Sequence, residues 1–357
     1  MPVEPPARPR TLTLRGATVL GIGSMIGAGI FALLGEAGAI AGAAVWISFL
    51  IGGVVALLLG YVCAKLGMTY PSAGGLITYL VKGFGAGRLV GIASWLGYIA
   101  AIVIVTAMVA VSFGGYATAL FVGENASKGW DNLFITLVLV VMLVLNLIGT
   151  KLVAAAQSAI VFIVLGSFVI FLGATLPNID TGLLSFSDYP SFTKIMASVA
   201  LTFFAYLGFN VITFTGGDLR NPRRDIPRAT YLSIGITAAV YVAIAIGVFG
   251  TLTVTEVIRA GETAIAEAAR PELGDFGFKL MAIVALLSTA GATNATLYAS
   301  GNLTGMLAGE GFFPAFFAVD TAKNAPGTLG AIVGIAILAV ILDAVFRKET
   351  STAVLGD

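Results

Sequence analysis

The run Gly21-Ile-Gly-Ser-Met-Ile-Gly-Ala-Gly-Ile-Phe31 places four glycines inside an apolar stretch long enough to cross a bilayer. Each glycine lowers helix stability by about 1 kcal/mol relative to alanine. Clustered at mid-membrane depth, they weaken the helix where no solvent can mend a broken backbone bond. Irregular backbone is tolerated there only when protein buries it or a cavity receives it. Such a break frees N–H groups, which suit an anionic group, and carbonyls, which suit an ammonium or a metal cation. The chemistry expected of this segment is half of a site for a small charged or zwitterionic molecule.

The other half is sought in Val199–Gly217, where Gly208 and Asn210 lie near the centre, surrounded by Phe203, Phe204, Tyr206 and Phe209. Gly208 by itself is ordinary for a membrane helix. Its value lies in pairing, because interrupted apolar segments at matching positions of two halves mark transporter sites. Two bland readings stand beside this one. Gly23-x-x-x-Gly27 also fits a helix-packing motif, so close packing alone accounts for the glycines. Aromatic side chains on the sixth span serve packing as readily as ligand contact. Gly21-x-Gly23 also echoes a dinucleotide fingerprint, but that motif needs a strand–turn–helix setting that is not found here.

Composition fixes the setting of these segments. The chain has 357 residues, 58% hydrophobic and 10% charged, against about 25% charged in a soluble domain. An all-α polytopic membrane protein is expected. Histidine is absent and Cys63 is the single cysteine, so no His general base, His-ligated metal or intrachain disulfide is expected. No cofactor and no nucleic-acid partner are expected, and the net charge of +1 says nothing about partners. The polar arm Met1–Arg15 resembles a cytoplasmic extension rather than a signal peptide. At about 20 residues per span, nine spans are expected, roughly 17–41, 44–66, 89–120, 132–149, 153–176, 195–216, 229–253, 276–308 and 328–346. With the N-terminus inside, twelve of the nineteen Lys/Arg fall on the inner side, including Arg220, Arg223, Arg224 and Arg228. The positive-inside rule therefore favours a cytoplasmic N-terminus in the plasma (inner) membrane. Asn221–Pro227 is expected as an inner loop, and Thr255–Asp275 as an outer loop with an amphipathic pattern.

Several motifs then carry a resemblance. Gly23-x-x-Ile-Gly-Ala-Gly-Ile-Phe31, Tyr70-Pro-Ser-Ala-Gly-Gly75, Phe203-Phe-Ala-Tyr-Leu-Gly-Phe209, Asn221-Pro-Arg-Arg-Asp-Ile-Pro-Arg-Ala229, Asn294-Ala-Thr-Leu-Tyr298 and Gly309-Glu-Gly-Phe-Phe-Pro314 occur in order. Together they resemble the amino acid–polyamine–organocation (APC) superfamily, and most of all its prokaryotic proton-coupled, broad-specificity amino acid transporters. The resemblance implies the LeuT-like inverted repeat, with helices 1 and 6 discontinuous. It implies a secondary active transporter that moves amino acids by alternating access. By position, the N–H groups of Ile26, Gly27, Ala28 and Gly29 would take the substrate carboxylate. Carbonyls near Gly23 and Ser24, with those of Phe203, Phe204 and Tyr206, would take the ammonium; Ala205 and Gly208 would also belong to the substrate site, and Phe204 would be the lid or gate.

Departures from that pattern set the remaining expectations. The organisation expected is a cytoplasmic arm at 1–16, a five-helix repeat at 17–176, an external loop at 177–194, a four-helix second repeat at 195–346 lacking its last helix, and a tail at 347–357. The fifth span has no charge, with Val164 where proton-coupled relatives carry lysine, and Asn302 stands where many carry arginine. Ser288 and Thr289 are candidate oxygen donors for a coupling sodium ion, leaving H+ or Na+ as the coupling ion. Glu36 and Asp218 are the ionisable residues nearest the two breaks. Two other readings stay open. One is a truncated, non-transporting membrane protein of the same fold. The other is a polyamine carrier, for which the central spans lack the needed carboxylates.

Overall fold

The computed structural model describes residues 12–72, 74–85, 87–123, 127–148 and 150–312. The ninth expected span, the tail, the arm before Leu12, the Pro314 end of its motif and the side chains of Ala28, Tyr298 and Asn302 lie outside the described residues. The described chain is almost wholly helical. It comprises α1 Leu14–Ala41, α2 Val45–Thr69, α3 Gly75–Phe84, α4 Arg88–Tyr98, α5 Val105–Phe121, α6 Lys128–Ile148, α7 Thr150–Thr175, α8 Phe192–Phe204, α9 Asn210–Thr213, α10 Pro222–Phe249, α11 Val254–Ala260 and α12 Ala264–Gly309. A π-helical turn, Ile99–Ile104, joins α4 to α5 in one pass, and a 3-10 turn, Leu207–Phe209, joins α8 to α9.

Seven stretches are long and apolar enough to cross a bilayer. The first, Leu14–Thr69, contains both α1 and α2, so the passes correspond to the first eight expected spans. Gly42 makes the reversal between α1 and α2 at φ 56°, where a residue with a β-carbon is strained. Gly274, at φ 60° and ψ −156°, breaks α12 in the same way. The segment before that bend, with α11, is helical where an outer loop is expected at Thr255–Asp275. Thr253 starts α11 with a reciprocal capping box to Glu256. Hydrogen bonds from the Thr253 hydroxyl and backbone hold the Glu256 carboxyl below its ordinary range.

One boundary departs from expectation. The Asn221–Pro227 segment is not an inner loop, because α10 already begins at Pro222. Proline suits a first helical turn, where its missing N–H has no intrahelical partner. Pro227 sits inside the same helix, one turn further on.

Packing relates the passes in antiparallel pairs. Ser198 Oγ donates to Ala37 O near one end of α8, Gly29 meets Ala205, and Gly208 meets Ser24 and Met25. Hence α8 and α1 run in opposite directions. Along α2, Gly53 faces Ala238, Gly60 faces Ile234 and Thr230, and Gly67 faces Ile226, so α2 opposes α10. Tyr98 hydrogen-bonds Thr304 at 3.2 Å, Val109 clusters with Ala292, and Gly115 lies against Glu262, so the α4–α5 pass opposes α12. The large buried side chains Phe31, Phe49, Tyr116, Phe168, Tyr206 and Tyr241 fill the centre.

The α2–α10 register has a direct test. A β-carbon on Gly53 would lie 3.1 Å from Ala238 Cβ, within reach of the geometry of a disulfide. In a Cys63→Ser background, Gly53→Cys with Ala238→Cys should cross-link on mild oxidation and shift in non-reducing electrophoresis. Failure to cross-link would refute the pairing of these helices.

Candidate functional site

The two glycine-bearing segments singled out in the sequence meet at the middle of the bundle. Past Phe204, α8 gives way to a turn, a single 3-10 turn and then the four-residue α9. The sixth pass is therefore interrupted where Gly208 marks it. The Tyr206 N–H donates to Phe203 O at 2.9 Å, and the Phe209 N–H donates to Tyr206 O at 3.1 Å. These turn bonds occupy the Phe203 and Tyr206 carbonyls in this conformation.

The first pass differs from the expectation. α1 runs unbroken from Leu14 to Ala41, so helix 1 is not discontinuous here. The physical reason is that its glycines are contact surfaces. A β-carbon on Gly27 would collide with the Ser288 carbonyl oxygen and lie 2.5 Å from Ala292 Cβ. One on Gly29 would collide with the Tyr241 hydroxyl and lie 2.8 Å from Ala205. One on Gly23 would collide with the Gln157 amide. One on Gly208 would lie 2.6 Å from Met25 N and from the Ser24 carbonyl carbon. Glycine at these positions lets α1 touch α7, α10, α12 and the α8–α9 break at once, the close-packing role weighed above.

The remaining candidates fall into place around that crossing. Ser24 and Ile26 are buried in α1, while Ala205 and Tyr206 are fully buried at the break. Phe204 is half-buried and packs with Val105, Val109 and Ala292 between α5 and α12. Ser288 and Thr289 lie on α12 at the Gly27 contact, and the Thr289 hydroxyl donates back to Ala285 O at 2.7 Å. Val164 is buried in the main apolar cluster with Phe31 and Phe168. Glu36 is exposed beyond the buried run. The structure thus brings Gly23–Gly29, Phe203–Gly208 and Ser288 together and leaves Glu36 outside.

Two residues escape a reading of the sequence. Tyr241 on α10 donates its hydroxyl to Met25 O of α1 at 2.5 Å and approaches Ala205 O at 3.2 Å. One phenol therefore addresses both glycine segments. Its only sequence signal is a tyrosine within an apolar run. Gln157 on α7 lies against Gly23, with 2% of its surface exposed. Its signal is a lone amide in a span otherwise notable for lacking charge.

Both ends of the crossing are covered. At one end, Leu12 N donates to Asp218 O at 3.0 Å and Arg220 N to Leu12 O at 3.1 Å, tying the chain before α1 to the chain after α9. At the other, Gly261 sits against Gly35, and a cavity of about 510 Å³ is lined by residues including Glu256, Arg259, Glu267 and Arg270. Arg270 pairs with Glu267 at 3.1 Å and lies over the Phe278 ring at 4.4 Å. This cavity is separate from the glycine crossing. Asp225, in the first turn of α10, is the only carboxylate residue buried among the described residues.

An interrupted apolar pass seated on a glycine-faced helix, within antiparallel pairs, defines a polytopic helical membrane protein. The chain belongs to the Amino acid permease family, which it matches over residues 12–355. The inner membrane transport protein YbaT of Escherichia coli is 32% identical over 305 residues, which cover 85% of this chain and 71% of that protein. A Methanocaldococcus jannaschii protein is 36% identical, covering 86% and 71% respectively. The Bacillus subtilis serine/threonine exchanger SteT is 29% identical, covering 78% and 63%. Among solved structures, a manganese transporter of Eremococcus coleocola shares the fold with a TM-score of 0.60 at 16% identity, covering 95% of this chain and 72% of that one.

The crossing makes two predictions. Gly27→Val should push α1 off α12 and cost about 1–3 kcal/mol, read as a lowered melting temperature of detergent-solubilised protein. Tyr241→Phe should cost about 0.5–1.5 kcal/mol through the loss of its hydrogen bond to the Met25 carbonyl. Unchanged melting in both would refute the contacts described.

Proposed function

We propose that the chain is a secondary carrier that moves neutral amino acids across the plasma membrane by alternating access. The single observation that carries this reading is the contact of the Gly208 interruption with Ser24–Met25 of α1, flanked by Gly27 and Gly29. Separating these segments exposes backbone dipoles of both signs near one point. A zwitterion needs both, and half-helix ends supply partial charges without burying a whole one.

The pairings support an inverted repeat. α1 with the sixth pass, α2 with α10 and the third pass with α12 are each five passes apart, and all three pairs run antiparallel. On this reading 17–176 and 195–346 are the two repeats. Substrate N–H donors are Ile26, Gly27, Ala28 and Gly29. Carbonyl acceptors are Gly23, Ser24, Phe203, Phe204, Ala205, Tyr206 and Gly208, and Phe204 is the lid. α1 then opens between Gly23 and Gly29 in the substrate-bound state. A cytoplasmic N-terminus agrees with the packing of the basic segments. The chain before Arg15 is tied to Asp218–Arg220, next to Arg223, Arg224 and Arg228, and Tyr79 of α3 reaches Gly67 beside Ile226.

The scarcity of carboxylates around the crossing favours a neutral zwitterion over a polyamine, which needs acidic partners. The description of SteT as a serine/threonine exchanger points the same way and makes serine the first substrate to test. Ser288 and Thr289 stay the candidates for sodium coupling.

In proteoliposomes, the full chain should take up or exchange labelled serine and not putrescine. Phe204→Ala should insert normally and raise KM by about tenfold, a loss of about 1.4 kcal/mol. Absence of any amino acid flux would favour the non-transporting reading instead.

A further inference from the structure

Gln157 is the one buried side chain among the described residues with two polar atoms left without a partner. Only 2% of its surface is exposed, and neither Nε2 nor Oε1 has a hydrogen-bond partner among the described residues. It lies between two helices at glycine positions. A β-carbon on Gly23 of α1 would strike its Nε2, and one on Gly291 of α12 would lie 3.3 Å from its Oε1. Val161 lies beside Gly23 and Ile160 beside Gly291. A buried amide left unsatisfied is destabilising in itself. Leucine at this position would remove that cost.

The backbone beside it supplies the complementary need. While α1 is continuous, the carbonyls of Val19, Leu20, Gly21 and Ile22 are spent on N–H groups four residues later, in Gly23–Ile26. Opening the helix across Gly23–Gly27 strands carbonyls on one side and N–H groups on the other, in a region without water. A carboxamide is the one uncharged side-chain group with two donors and an acceptor oxygen. It can bond to both stranded ends at once, where a lysine or a carboxylate could serve only one and would bring a charge.

We propose that Gln157 is a positioning residue that completes α1 when the helix opens, its NH2 taking stranded carbonyls and its Oε1 stranded N–H groups. This rests on the carrier reading, since it concerns the same movement of α1. The amide is unsatisfied in the closed helix and satisfied in the open one. It therefore narrows the energy gap between them.

Hydrogen–deuterium exchange of the peptide covering Gly21–Phe31, in nanodiscs, tests this without any substrate. Gln157→Leu and Gln157→Met should each slow exchange there by about tenfold, the effect of one hydrogen bond on the opening equilibrium. Both should also raise the melting temperature, whereas a residue that merely held the closed fold together would lower it on replacement. Serine flux should fall in the same variants. Unaltered exchange at Gly21–Phe31, or a lowered melting temperature in both variants, would overturn the proposal. If wild-type protein carries no amino acid yet the exchange contrast is present, the carrier reading fails and this assignment stands. If wild-type flux is normal and the contrast is absent, only this assignment fails.

Discussion

The contact between α1 and the interruption of the sixth pass is the constraint on which the rest of the bundle depends. With a β-carbon on Gly208 only 2.6 Å from Met25 N, no other residue type fits without moving a backbone. A helix touched this closely on several sides must present glycine on several sides, which explains the density of Gly21–Gly29. In lipid, van der Waals packing and interhelical hydrogen bonds carry association, because moving apolar side chains from lipid to protein gains little. The shared Tyr241 hydroxyl is the hydrogen-bonded part of the same junction.

Much of this was legible in the sequence. Apolar run length located the first eight passes to within a few residues, except at α10, where two prolines read as a loop and instead lie in the helix's first turns. Gly208 lies in the 3-10 turn between α8 and α9. The continuity of α1 was not legible, because a glycine weakens a helix and also permits close approach, and the sequence does not say which effect wins. Contacts decide it. Gln157 presses on Gly23, Ser288 on Gly27, and Tyr241 and Ala205 on Gly29, each from a position distant in the chain. Tyr241 and Gln157 were missed for the same reason, since each is unremarkable among its chain neighbours and acquires a role only across helices.

The hydroxyl-rich character of α12 fits the same physics. Thr289, Thr293 and Thr296 donate to carbonyls four residues earlier, and Ser300 to one three residues earlier. Those bonds satisfy the hydroxyl hydrogens locally and leave oxygen lone pairs facing the bundle. Over residues 280–309 the helix is polar without being charged.

Charge is instead placed at the ends. Arg220–Arg228 adjoin the tie between Leu12 and Leu219, and Arg270 with Glu267 borders the opposite cavity. A fixed charge at the crossing would bind an oppositely charged group too tightly to release and would need desolvation each time the helices part. In the carrier proposed above, backbone dipoles avoid both difficulties, because closing the helix would return each dipole to a partner within the chain. The same argument accounts for an amide at position 157. An uncharged group can trade partners between closed and open helix at a cost near that of one hydrogen bond, while a charge there would hold α1 in whichever state paired it.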